Sequence, residues 1–281
     1  MNGTAMNEQY LETAADRERV VDTAETAGLD EKDIARFGPD PKASFAANLA
    51  DVERRIAAAS LRAGREPAAV RLLPITKTVP APVLRLAFAA GIHDFGENKI
   101  QEAQSKRDAL ADLPIAWSIV GHLQTNKVKY LARFAREFHA LDSLRVAEML
   151  DRRLTIEDRF LDVYVQVNTS GEDSKFGLHP DALLDFVDRL GDFPRLRPRG
   201  LMTLALFSDD MARVRPCFRL LRTLRDRAVK RNAALTELSM GMSGDFEAAI
   251  EEGADVVRVG QAIFGKRPTS DGHYWPGFAP G

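Results

Sequence analysis

The sequence predicts an α/β fold: a single (β/α)8 TIM barrel, with eight parallel strands inside a ring of helices. From Ser44 onward, helix-period segments alternate with short apolar or β-branched runs, the pattern of repeated βα units around a parallel sheet. Eight such runs can be counted. The length, 281 residues, falls where α/β barrels fold as one unit. With no short-period solenoid repeat, the count favours a barrel over an open doubly wound sheet, although periodicity alone does not close it.

Taken in order, residues 1–43 form an acidic extension poor in large apolar residues, which ends at the helix-breaking GPDPKAS. This extension reads as a flexible appendage; its run ETAADRERVVDTAETAG can form a short amphipathic helix. The barrel is assigned to 44–281. Ser44 is expected to cap its first helix, where Phe45, Leu49, Val52 and Ile56 follow helical spacing. The strands are VRLLPIT (70–76), IHDFG (92–96), IAWSIVG (115–121), EFHAL (137–141), LDVYVQVN (161–168), LRPRGLMTL (196–204), TELSMG (236–241) and ADVVRVG (254–260). Between them lie one-faced apolar segments such as APVLRLAFAA, NKIQEAQSKRDAL, LRVAEMLDRRL, DALLDFVDRL and DFEAAIEEG.

Composition narrows the function. A hydrophobic fraction of 45% with 28% charged residues supports a sizeable core, so the bulk of the chain folds. The formal net charge of -2 gives no global reason to expect nucleic acid or an anionic membrane as partner, and small-molecule chemistry is the better expectation. The single cysteine, Cys217, excludes an intramolecular disulfide and reads as a packed core residue. A non-basic N-terminus and the lack of a long apolar run suggest a cytoplasmic protein. No apolar surface stripe calls for a partner copy, so a monomer is expected. The five histidines are scattered without paired spacing, and no metal site is expected.

In a barrel the reactive groups sit where strands stop. Lys77 follows Leu72, Leu73, Pro74 and Ile75 and precedes Thr78-Val79-Pro80. It is either a solvent-facing strand-end residue or a desolvated amine able to attack an aldehyde. Near the other end, SMGMSGDFEAAIEEG places Ser239, Gly241, Ser243 and Gly244 between strand and helix, a candidate phosphate cradle; the alternative is a simple cap in which Ser243 bonds its own helix. Arg258 and Gly260 follow at the last strand end. Asn98, after the second strand, can contact a ligand ring or cap the helix that follows. Gly121, His122 and Asn126 follow the third strand, with Lys127 and Lys129 as a local basic pair. No nucleophilic serine elbow, Walker loop or dinucleotide fingerprint is present.

Together ITKTVP, FGENKIQEA, GHLQTNK, DSKFGL, RGLMTL, LSMGMSGDFEAAI and VRVGQAIFG resemble the pyridoxal phosphate homeostasis protein family, over roughly residues 44–267. LSMGMS followed by RVG and IFG is the specific part; FGEN or the lysine alone is weak. The resemblance implies an alanine-racemase-like barrel without that enzyme's second, β-rich domain. It further implies pyridoxal 5'-phosphate (PLP) held as a reversible Schiff base on Lys77. By the same resemblance the phosphate rests on Ser243 and the amides around Gly244, Gly260 and Gln261, and Arg258 faces the pyridine nitrogen; Asn98 stands beside them as the candidate ring contact.

A guanidinium cannot accept a proton, so Arg258 in that position leaves the ring a poor electron sink. The implied role is a carrier in PLP (vitamin B6) and amino-acid homeostasis, with PLP-dependent apoenzymes as recipients and no firm catalytic activity. The alternative is a fold-type III PLP enzyme, a racemase or decarboxylase; an interaction protein that merely keeps the barrel is a third reading. The chain departs from the family at Gln261, where a compact hydroxyl is usual, at Ser118, where a histidine is common, and in its acidic N-terminal extension.

Overall fold

The computed structural model describes residues 29–267. The run ETAADRERVVDTAETAG lies outside them. Strands β1 (Arg71–Pro74), β2 (Asp94–Glu97), β3 (Ala116–Ile119), β4 (Glu137–Leu141), β5 (Leu161–Gln166), β6 (Leu196–Met202), β7 (Glu237–Ser239) and β8 (Val256–Val259) form one parallel sheet, ordered β1-β8-β7-β6-β5-β4-β3-β2. A parallel bridge between Ile75 and Gly96 joins its two ends, so the barrel closes. Gly96 lets the strands approach closely there: a Cβ would stand 2.5 Å from Ile75 Cδ1 and the isoleucine side chain would have to shift. All eight expected strands are present, each within its expected run or, at Glu97, one residue beyond it.

The helices are α1 (Glu31–Phe37), α2 (Pro41–Arg62), α3 (Ala81–Ala89), α4 (Ile100–Ala109), α5 (Val128–Phe134), α6 (Leu144–Ile156), α7 (Leu183–Arg189), α8 (Met211–Ala228), α9 (Phe246–Glu251) and α10 (Gln261–Phe264). Their apolar faces cover the strands, as in α6, which buries Val146, Ala147, Leu150 and Leu154 at helical spacing. Cys217 is buried on the inner face of α8. Among the described residues no helix is long and apolar enough to cross a membrane.

The start of the barrel differs from expectation. Helix α2 begins at Pro41, and its cap is Asp40, whose carboxylate accepts the Ala43 N–H at 3.0 Å; Ser44 lies inside the helix and donates its hydroxyl to Asp40 O. Asp-Pro wins because proline suits the first helical position and aspartate accepts well as a cap. The expected boundary at 43/44 therefore falls within a helix. Upstream, α1 packs Phe37 edge-on against Phe45, 5.9 Å between centroids, and Phe45 in turn meets Phe264 at 5.3 Å. Each such contact is worth about 0.5–1.5 kcal/mol beyond burial, so residues 29–40 are fastened to the barrel.

Candidate functional site

A cavity of about 780 Å³ opens at the carboxyl ends of the strands. Lys77, Asn98, Ser243, Gly244, Arg258, Gly260 and Gln261, singled out in the sequence, all line it. Of the residues after β3, Gly121, His122 and Lys127 line it too. His122 stacks on Phe176 of the DSKFGL segment, 4.0 Å between ring centroids, which places both at the cavity's edge.

Lys77 is only 7% exposed, so the solvent-facing reading of this lysine does not hold. Its turn is fixed through its neighbours. Thr76 donates its hydroxyl to Glu97 Oε1 at 2.5 Å, and its carbonyl accepts from Lys106 Nζ at 2.8 Å. Lys106 also donates to Glu97 and Glu102, at 2.7 and 2.6 Å. Glu102 accepts the Thr78 N–H at 2.7 Å. Thr78 itself adopts a left-handed backbone, φ 67°, an unfavourable conformation for a β-branched residue. Burial pushes the Glu97 carboxyl up to about 7 despite Lys106 beside it.

On the opposite side, β8 carries Arg258, 4% exposed. Its guanidinium donates to two neutral oxygens, Ser239 Oγ at 2.8 Å and Thr203 O at 2.7 Å. Burial brings it down to about 10, with Asp245 opposing, so it stays charged at neutral pH. Ser239 Oγ also meets His139 Nδ1 at 2.9 Å, and His139 Nε2 meets Glu137 Oε2 at 2.9 Å. Arg71 closes the series on Glu137 at 2.8 Å, and Tyr164 stacks on the His139 ring at 4.1 Å.

The donors fix the direction of this chain. Arginine only donates, so Ser239 accepts from it and donates its own proton to His139 Nδ1; Nε2–H then donates to Glu137. That requires a neutral imidazole, which burial favours by holding His139 below its ordinary value although Glu137 opposes it. Burial pushes Glu137 up, but His139 and Arg71 together hold it well below the usual carboxylate range. Ser118 donates to the same carboxylate at 3.3 Å.

The two capping alternatives fail. Helix α9 has Asp245 at its N-cap position, and Ser243 instead reaches the neighbouring strand end, where its hydroxyl accepts from Gly260 N–H at 3.2 Å and Ala262 N–H at 3.3 Å. Lys99 precedes α4, and Asn98 packs against Gly121, where a Cβ would stand 2.3 Å from Asn98 Oδ1. Gln261 is exposed at the cavity mouth, and Gly244 has open space where a Cβ would be.

Sequence reasoning missed Glu97, Glu102, Lys106, Glu137, His139 and Arg71. A signal existed for two of them: Glu137 and His139 alternate in EFHAL, which puts two ionisable groups on one face of an otherwise apolar strand.

The alanine racemase N-terminal domain family matches residues 47–268. The pyridoxal phosphate homeostasis protein of Aquifex aeolicus is 42% identical over 220 residues, 78% of this chain and 96% of the relative. That of Pseudomonas aeruginosa is 43% identical over 224 residues, 80% of this chain and 96% of the relative. PipY of Synechococcus elongatus PCC7942, solved with PLP bound, superposes with a TM-score of 0.69 at 34% identity, covering 79% of this chain and all of PipY. Alanine racemase from Streptomyces lavendulae, at 16% identity and TM-score 0.65 over 81% of this chain and 58% of the enzyme, shares the fold.

Proposed function

This chain belongs to the alanine racemase N-terminal domain family and, within it, to the pyridoxal phosphate homeostasis proteins, and on that premise we propose that it binds PLP reversibly through Lys77 and serves cytoplasmic PLP and amino-acid homeostasis as a monomeric carrier that supplies apoenzymes. The observation that carries this reading is the convergence of a buried lysine, a buried guanidinium and the Ser243 hydroxyl, with Gly260 and Gln261 beside it, around one cavity.

The residues fit the group by their chemistry. Lys77 supplies the amine, Arg258 a cation for the ring nitrogen, and Asn98 a polar edge. Ser243, Gly244, Gly260 and Gln261 supply hydroxyl and amide donors for the phosphate; the exposed Gln261 contributes chiefly its amide. When bound, PLP supplies an aldehyde that a lysine amine can hold and release. Arg258 donates only, so it neither gives up nor takes a proton at neutral pH and leaves the ring nitrogen unprotonated, which disfavours carbanion chemistry.

The test is the visible absorption spectrum of the purified chain with added PLP, repeated for Lys77→Ala and after borohydride reduction with mass mapping. The wild-type chain is expected to show a Schiff-base band that Lys77→Ala lacks, with the reduced cofactor on the Lys77 peptide. No band at saturating PLP in a folded sample would overturn the reading. Turnover across an amino-acid panel above that of free PLP would favour the enzyme alternative.

A further inference from the structure

Helix α1 lies before residue 47, where the family match begins, yet it reaches the turn that carries Lys77. Its sequence explains how. Asp30 caps it by accepting the Asp33 N–H at 2.8 Å, and Gly38 ends it with φ 85°. Phe37 is buried against Phe45, which sets the helix's position. The preceding residue, Arg36, lays its guanidinium 4.4 Å from the Phe37 ring centroid. It then donates from Nη1 to Thr78 O at 2.5 Å and from Nη2 to Thr78 Oγ1 at 3.0 Å.

Thr78 is the residue after Lys77 and has the left-handed backbone, φ 67°. Such a conformation persists in a non-glycine residue only when its surroundings over-determine it. Here the N–H is held by Glu102, and the carbonyl and hydroxyl by Arg36. Of these two restraints, Glu102 comes from α4 within the family domain and Arg36 from the segment that precedes it.

We propose that Arg36 is a positioning residue: α1 clamps the Thr76-Lys77-Thr78 turn in its strained geometry and thereby slows release of the cofactor from Lys77. The proposal rests on the reading of Lys77 as the PLP-binding lysine. The clamp itself is a property of the chain without ligand.

The test uses the full-length chain and the variants Arg36→Ala, Arg36→Lys, Thr78→Gly and Arg36→Ala/Thr78→Gly. Hydrogen–deuterium exchange without PLP is read over residues 76–79, with residues 236–245 as an internal control. PLP release is then followed by trapping with a PLP-dependent apoenzyme. Arg36→Ala is expected to speed both exchange at 76–79 and PLP release by about tenfold, the scale of a lost charge-assisted hydrogen bond, and to leave the control unchanged. Arg36→Lys, which keeps the charge without the fork, should recover part of the loss. Glycine tolerates positive φ, so Arg36→Ala should matter less in the Thr78→Gly background, by about twofold or below. Equal exchange at 76–79 in wild type and Arg36→Ala overturns the clamp, and faster exchange with unchanged release overturns its effect on the cofactor. A wild-type chain that takes up no PLP at Lys77 overturns the functional reading, while exchange still decides whether the clamp exists.

Discussion

On the β1–β2 side of the cavity the turn carrying Lys77 is fastened by charged groups, Lys106 between Glu97 and Glu102, whereas on the β6–β8 side Arg258 is fastened by neutral oxygens. The difference follows from what each residue must keep. The Lys77 turn needs a fixed backbone, and ion pairs on its flanking residues can supply that. Arg258 needs its charge available to the cavity, and a carboxylate in bidentate contact would occupy its donors and neutralise it. Asp245 acts on Arg258 without a hydrogen bond, and the hydrogen-bonded link to a carboxylate runs through Ser239 and His139 to Glu137, on the strand two places beyond β6 in the sheet.

The largest expected effect tests the charged side. At pH 9, above the value of about 7 that Glu97 has beside Lys106, Lys106→Met leaves this fully buried carboxylate without its cation and should cost about 3–5 kcal/mol in urea denaturation. A loss below about 1 kcal/mol would mean the turn does not depend on charge.

The two sides also differ in the sign of their pH dependence. Glu97 is raised from 4.5 to about 7, so the folded chain keeps a proton the unfolded chain has released, and stability falls as pH rises through that window. Its contribution is about 3 kcal/mol, and Glu97→Gln should flatten this part of a stability–pH profile. Glu137 is depressed, so its stabilisation is present above the unfolded carboxylate value of about 4.3 and is lost as pH falls below it. Glu137→Gln should remove that acid-side loss and leave the Glu97 limb in place.

Smaller changes sharpen the contrast. Gly121→Ala sets a Cβ 2.2 Å from Asn98 O and should cost roughly 3 kcal/mol, read as a lowered melting temperature, because backbone must move. Ser239→Ala takes an acceptor from Arg258 and a donor from His139 at once. It should cost roughly 1–2 kcal/mol in stability and weaken PLP binding measured by titration. Unchanged PLP affinity in Ser239→Ala would show that Arg258 holds its place without the chain behind it.

Much of this was legible in the sequence. Strand runs such as EFHAL and VVRV stand out because burial on both faces of a barrel strand demands apolar residues, and Lys77, Arg258 and Gly260 stand at the ends of such runs, where a barrel collects its reactive groups. Ser44 is misplaced as a cap, and Ser243 keeps a capping alternative open, for one reason: local chemistry ranks cap candidates but does not say which residue occupies the position, here Asp40 for Ser44, nor that Ser243 reaches Gly260 and Ala262 instead. Asn98 met a different limit, since only the close approach of Gly121 shows where its side chain goes.

The sequence by itself determined the order of strands and helices, the lysine at the first strand end and the small residues at the last two, because these depend on periodicity and on residue types within a few positions of one another. Tertiary structure alone decided the pairing of buried polar groups. Arg71 and Glu137 lie on strands that are not neighbours in the sheet and meet only across the barrel interior, and Arg36 finds Thr78 only because Phe37 docks α1 beside the first strand end. A buried donor must find an acceptor wherever closure of the barrel brings one, and that partner has no fixed distance along the chain.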